Sequence, residues 1–182
     1  MKKIVLCVLI LCCASWVKAQ EYIGVNRSIW EIQGTILGTY LHNESRLAKS
    51  ITLRTEVGLD MGEWYDSHGT YNTSFVIVPA LTLEPRYYYN LNKRHAKSKR
   101  IDNNSGNFLA FKIECRSGII TNDKSITNTH GDISFTPMWG LRRHFKKINF
   151  NYELGGGIRY RYWFNNSGEF LPFIHLRIGY TF

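Results

Sequence analysis

The chain has 182 residues, enough for one domain, with 44% hydrophobic, 14% aromatic and 20% charged residues and a formal net charge of +9. So few charges beside so many rings exclude a disordered tail. Three of the four cysteines, Cys7, Cys12 and Cys13, crowd the N-terminus and leave only Cys115, which excludes a disulfide scaffold.

The first element is an export signal. Lys2 and Lys3 precede an apolar run over 4–14, and Val17-Lys18-Ala19 supplies small residues at a cut. The run is too short for a membrane anchor, which needs roughly 20 apolar residues. A lipoprotein cut at Cys12 or Cys13 would follow bulky Leu9-Ile10-Leu11, where small residues belong. The pattern predicts a signal peptide over 1–19, cleaved after Ala19, and a mature domain over 20–182. That domain carries 20 bases against 14 acids, and five of the bases, Lys93, Arg94, Lys97, Lys99 and Arg100, lie in one stretch. Export argues against nucleic acid as their partner and points instead to anionic lipid or cell wall. Cys115 is then the only thiol.

The mature chain alternates. From Ser50, Ile51, Leu53, Thr55, Val57, Leu59 and Met61 fall on one side, and Thr52, Arg54, Glu56, Gly58, Asp60 and Gly62 on the other. A period of two over a dozen residues is a strand. The same period recurs over 75–88, 109–116, 133–142, 150–162 and 174–182, with turn-type stretches at 43–45, 66–72, 102–107, 121–132 and 165–168. Seven strands are expected, at about 30–41, 50–64, 73–90, 106–120, 131–145, 148–164 and 170–182. A weak eighth at 21–26 would complete the even number that a barrel prefers. No segment has a helical period, so the fold class is all-β.

Two solvents fit such strands. A soluble sandwich or lipocalin-like barrel turns its apolar face inward. A transmembrane barrel turns it to lipid and its polar face to the lumen. Strand length favours the second, because 9–11 residues cross a bilayer at a tilt. So do the aromatic clusters at strand ends, Trp64-Tyr65, Tyr87-Tyr88-Tyr89, Tyr160 to Phe164, and Tyr180 with Phe182.

The chain stops at Phe182, on a stripe with Leu176, Ile178 and Tyr180. A last strand ending in an aromatic residue, with another aromatic two before it, resembles the C-terminal signal of bacterial outer-membrane β-barrel proteins. The segments 53–60, 84–90 and 103–108 are the most family-like. The resemblance covers the whole mature chain. It implies a small Gram-negative outer-membrane barrel of antiparallel strands, eight in number, and partners in outer-membrane lipid and the barrel-assembly machinery. It implies no activity.

Counted back from a final strand ending in the periplasm, 143–148 and 93–100 fall on the periplasmic side. Residues 65–72, 121–130 and 165–169 fall outside. Pro79, Pro85 and Pro137 each remove a ladder hydrogen bond and suggest bulges or edge positions. An eight-stranded barrel is just wide enough to be filled by side chains. Arg54, Glu56, Asp60, Glu84, Arg86, Lys112, Glu114, Arg116, Arg142, Glu153, Arg159, Arg161 and Arg177 are therefore expected to pair into a charged plug, in a monomer. A narrow polar path or ligand cavity is the alternative. Lipid-modifying catalysis needs a Ser or His pair with an orienting acid. Ser134, His144 and His175 face the lumen but share no close motif. His42, His68, His95 and His130 fall in loops without metal-ligand spacing. No catalytic residue, cofactor or metal is expected.

Overall fold

The computed structural model describes residues 23–61, 77–117 and 131–182. The expected signal peptide, Trp64, Tyr65, His68 and His130 lie outside them. Eight strands form a closed antiparallel barrel in which each pairs with its sequence neighbour and the last returns to the first. They are β1 (Ser28–Gly34), β2 (Gly38–Ala48), β3 (Ile51–Met61), β4 (Ile77–Tyr88), β5 (Asn107–Arg116), β6 (Asp132–Phe145), β7 (Phe150–Trp163) and β8 (Ser167–Thr181). One short helix, α1 (Leu91–Ala96), follows β4. The β1–β8 seam, from Glu31 opposite Thr181 to Gly34 opposite Ile178, closes the sheet and removes its edges.

The base of the barrel carries the turn at 49–50, the 89–106 connection, the turn at 146–149, Phe182 and the segment 23–27. The rim carries the turns at 35–37 and 164–166. The total of eight strands agrees with expectation, but the first strand does not. The segment 30–41 is the tip of a hairpin rather than one strand. Residues 23–26 are not a strand, and Asn43-Glu44-Ser45 lies inside β2 rather than in a turn. Apolar residues in the 35–37 turn keep the alternation running across it, with Ile36 82% exposed. Inside β2 a polar run resembles a turn because its inward residues face other polar groups. His42 is consequently a buried strand residue, and His95 belongs to α1.

The prolines do not produce bulges. The β4–β5 ladder skips Glu84-Pro85, the β6–β7 ladder skips Thr136-Pro137, and pairing resumes in the same register beyond each. Antiparallel residues bond to one neighbour at a time, so a missing N–H on one side leaves the other ladder intact. Pro79 still pairs with Leu59. The irregularity in the β2–β3 pairing lies elsewhere, between Arg46 and Ala48.

Burial runs in the reverse sense to a soluble core. Among the described residues, 25 polar or charged residues are buried against nine hydrophobic ones, while 29 large hydrophobics are exposed. The apolar stripes of every strand therefore face outward. Two glycines on the inner face make room for rings. A Cβ at Gly58 would stand 2.2 Å from the Tyr40 ring, and one at Gly140 would stand 2.5 Å from the Phe108 ring.

Candidate functional site

The strand register sets charges of alternating sign side by side on the inner wall. Glu44, Arg54 and Glu84 are successive neighbours across β2, β3 and β4, and Arg142, Glu153 and Arg177 across β6, β7 and β8. Opposite charges on neighbouring strands stabilise a sheet. Here the long arginines also reach across the lumen and join the two rows.

Glu153 is the hub. Arg54 Nη1 donates to its Oε2 at 2.9 Å, Arg86 Nη1 and Nη2 donate to Oε1 and Oε2 at 3.1 and 2.9 Å, and Arg142 Nη1 donates to Oε1 at 2.8 Å. His175 Nε2 lies 2.9 Å from Oε2. Around the hub, Arg142 pairs with Glu31, Arg54 with Glu56 and Gln33, and Arg177 donates to both Glu56 oxygens, at 2.5 and 3.1 Å. Arg86 Nε donates to Glu84 at 2.6 Å. His42 Nε2 sits 3.1 Å from Glu31. Glu31, Gln33, His42 and Glu44 also belong to this cluster, beyond the thirteen residues expected there. The signal was present: Ile29, Glu31 and Gln33 alternate with Trp30 and Ile32, and Tyr40, His42 and Glu44 alternate with Leu41 and Asn43.

Nearer the rim a second group forms. Lys112 pairs with Glu114, whose other oxygen lies 3.5 Å from Arg159. Arg116 Nε donates to both Asp132 oxygens, at 3.2 and 3.0 Å, and its Nη1 lies 3.9 Å from Asp60. Arg161 Nε lies 3.9 Å from Asp132. Rings hold the cations laterally, with Arg159 over Phe173 at 4.4 Å and Arg177 over Tyr40 at 4.4 Å. All thirteen residues expected to line the lumen lie on the inner wall.

The base is closed by an apolar lid of Val25, Tyr88, Leu91, Phe108 and Met138. Tyr88, expected with its neighbours at a membrane interface, belongs to this lid instead, because its parity on β4 turns it inward. Arg86 stacks on Phe108 at 4.2 Å, joining lid to charge cluster. The 89–106 connection folds under the lid. Asn104 Nδ2 donates to Glu44 at 2.7 Å, Arg142 Nε to the Asn103 carbonyl at 2.7 Å, and the His144 N–H to Ser105 Oγ at 3.0 Å. These bonds hold the connection against the base of the barrel.

The five bases of this connection do not act as one surface. Lys93 and Lys97 point to solvent, and Arg94 is turned onto the Arg100 carbonyl at 3.1 and 2.9 Å. Lys99 and Arg100 line a cavity with other residues. On the outer wall, Leu176, Ile178, Tyr180 and Phe182 share one exposed stripe ending at the base. The Phe182 N–H donates to the Trp30 carbonyl at 3.0 Å, and the Tyr180 and Phe182 rings meet edge to face.

His175 is committed to Glu153, and the His144 ring to Asn103 at 3.0 Å. Ser134 Oγ is buried and bonded to neither histidine. Among the described residues, no cluster of His, Cys, Asp and Glu could hold a metal ion. Comparison with protein-family models, with curated proteins and with solved structures finds no match.

Proposed function

We propose that this chain is an integral outer-membrane β-barrel whose lumen is filled by an ion-paired plug, with a structural or surface-interaction role. The observation that carries it is the reversed burial: charged residues inside, and Ile32, Leu41, Val57, Leu83, Leu154 and Ile174 exposed outside. A wall this apolar is costly in water and suits hydrocarbon. Sheet closure supports the same reading, since an unpaired edge is not tolerated in lipid.

Dimensions and rings agree. Eleven residues, the length of β2 and β3, rise about 36 Å along the strand. At a typical barrel tilt this spans about 28 Å of the axis, close to the apolar band of such barrels. Trp30, Tyr87, Tyr89, Phe145, Phe150, Tyr180 and Phe182 ring the base from outside, where a lipid–water interface would lie. On this reading the base is periplasmic, and the Phe182 stripe is what the assembly machinery meets.

The burial sense weighs against a lipocalin-like binder, whose apolar residues would point inward. A lipid-modifying enzyme would need a nucleophile beside His175, a position occupied by the Glu153 cluster. Cell fractionation with heat-modifiable gel mobility tests the location. The account expects recovery only with detergent and a mobility shift on boiling, and recovery in the soluble periplasmic fraction would contradict it. Planar-bilayer recording tests the plug, for which large, stable conductance would be the contradicting result.

A further inference from the structure

We propose that the outer wall holds one phospholipid of net negative charge, its phosphate at Arg143 and an acyl chain in a groove across β4–β7. This site rests on the membrane reading above. Strand parity turns Arg143 outward with Trp139 and Leu141. Among the described strand residues, it is the one charged side chain on an outward stripe. Neutral groups hold its guanidinium in place. Nη1 donates to the Gly106 and Arg142 carbonyls at 2.9 and 2.7 Å, and Nη2 to Asn107 Oδ1 at 2.8 Å. Of its five N–H groups, the Nε–H and one on Nη2 remain for a ligand. The ionisable groups that bear on it are Arg94, Tyr152 and Tyr89, and none is a carboxylate. Arg94, turned onto the Arg100 carbonyl, has no carboxylate partner among the described residues either. A guanidinium fork so fixed matches the oxygens of a phosphate. A zwitterionic headgroup would set its ammonium beside two cations, which favours a lipid of net negative charge.

The convex wall of a barrel has a groove only where side chains of unequal height carve one. Pro85 and Pro137 project little and Gly156 not at all, while Tyr87, Phe111, Trp139 and Ile158 stand beside them. The hollow measures near 760 Å³, within the range of about 300–1,000 Å³ typical of ligand clefts. A Cβ at Gly155 or Gly157 would run into the Trp139 or the Pro137 carbonyl. A Cβ at Gly156 meets nothing nearer than the Phe173 carbonyl, at 3.4 Å. Packing therefore demands glycine at 155 and 157 but not at 156, where the missing side chain deepens the groove. A hydrogen-bonded chain joins this groove to the charge. Trp139 Nε1 donates to Tyr89 Oη at 2.8 Å, Asn107 Nδ2 donates to the same oxygen at 3.4 Å, and Asn107 Oδ1 accepts from Arg143. Rings whose polar tips meet at the base mark the level at which a headgroup gives way to its chains.

Mature full-length protein in nanodiscs of phosphatidylcholine is titrated with phosphatidylglycerol, at constant total lipid and ionic strength, and followed by amide NMR. Saturable shifts are expected at Tyr89, 107–111, 137–143 and 156–158. Arg143→Gln keeps an amide donor for Asn107 and should raise the midpoint at least about fivefold. Gly156→Ile changes no charge, puts a β-branched residue in a strand, fills the groove and should also raise it at least about fivefold. It decides the matter alone if Arg143→Gln does not fold. Lys97→Gln removes the same charge from a solvent-exposed position at the same end and should leave the midpoint within about twofold. No saturable shift, equal loss in Lys97→Gln and Arg143→Gln, or unchanged binding by Gly156→Ile overturns the proposal. Protein that enters the discs without preferring phosphatidylglycerol defeats this site alone. Protein that stays outside the discs defeats the membrane reading and the site with it.

Discussion

The two halves of the lumen use the same chemistry to different depths. Near the base, Arg54, Arg86 and Arg142 converge on one carboxylate, Glu153, and no side chain of that set touches solvent. Near the rim, Arg116, Arg159 and Arg161 each retain about a tenth of their exposure; Arg116 holds Asp132 at 2.9 Å, but Arg159 meets Glu114 and Arg161 meets Asp132 at 3.5 and 3.9 Å. The base half is also covered by the lid of Val25, Leu91 and Phe108, whereas the rim half leans on the Phe173 and Tyr40 rings. Dry charge gains strength from the low dielectric but is intolerant of a missing partner, while wet charge is forgiving. The base half is therefore the drier of the two, and the rim half the wetter.

The sharpest way to break that contrast is Glu153→Ala. It removes the carboxylate that three buried arginines share, leaving Arg54 only Glu56, Arg86 chiefly Glu84 and Arg142 chiefly Glu31, and should cost on the order of 3–5 kcal/mol, read by urea unfolding in lipid vesicles. Glu56→Ala follows, because Arg177 has no other carboxylate within pairing distance among the described residues, whereas Glu84→Ala leaves Arg86 bonded to Glu153. A smaller loss for Glu84→Ala than for Glu56→Ala is expected in the same assay. Outside, Ile174 lies midway along β8, opposite Gly156, and is 83% exposed. Ile174→Arg should cost roughly 2–4 kcal/mol in a bilayer, and Ile178→Arg, nearer the base interface, less. Equal costs would remove the depth dependence the membrane reading requires. Gly58→Val drives a side chain into the Tyr40 ring and should cost about 1–3 kcal/mol, measured by the same unfolding. At the rim, Asp132→Ala should cost only about 1–2 kcal/mol, since water can reach Arg116 and Arg161. A loss as large as that of Glu153→Ala would erase the distinction between the halves.

How much was legible follows from where the information is local. The faces of β3 and β4 could be read directly, because alternation is a property of consecutive residues and the polar residues carry both signs. The β1–β2 hairpin could not, since Ile36 and Leu37 make its turn apolar and Glu44 makes its second strand look like a loop. The lumen residues could be named, but not the hub. Glu153 draws Arg54, Arg86 and Arg142 from three other strands, and the reach of an arginine across a barrel depends on curvature and shear that no period of two contains. Tyr88 was misplaced because a run of three tyrosines hides the parity of its middle member. The basic stretch at 93–100 suggested a single charged surface. Only folding divides it and brings Lys99 and Arg100 beside Arg27 and Arg46.

Depth-dependent quenching by brominated acyl chains tests the reversed barrel most directly. In a Cys115→Ser background, one dye is placed at Ile174→Cys on the outer wall and another at Thr136→Cys on the inner wall. The account predicts that the dye at 174 is quenched most strongly by bromines carried deep in the chain, and that the dye at 136 is untouched. Quenching at 136 with none at 174 would reverse the faces, and no quenching at either would take the barrel out of the membrane.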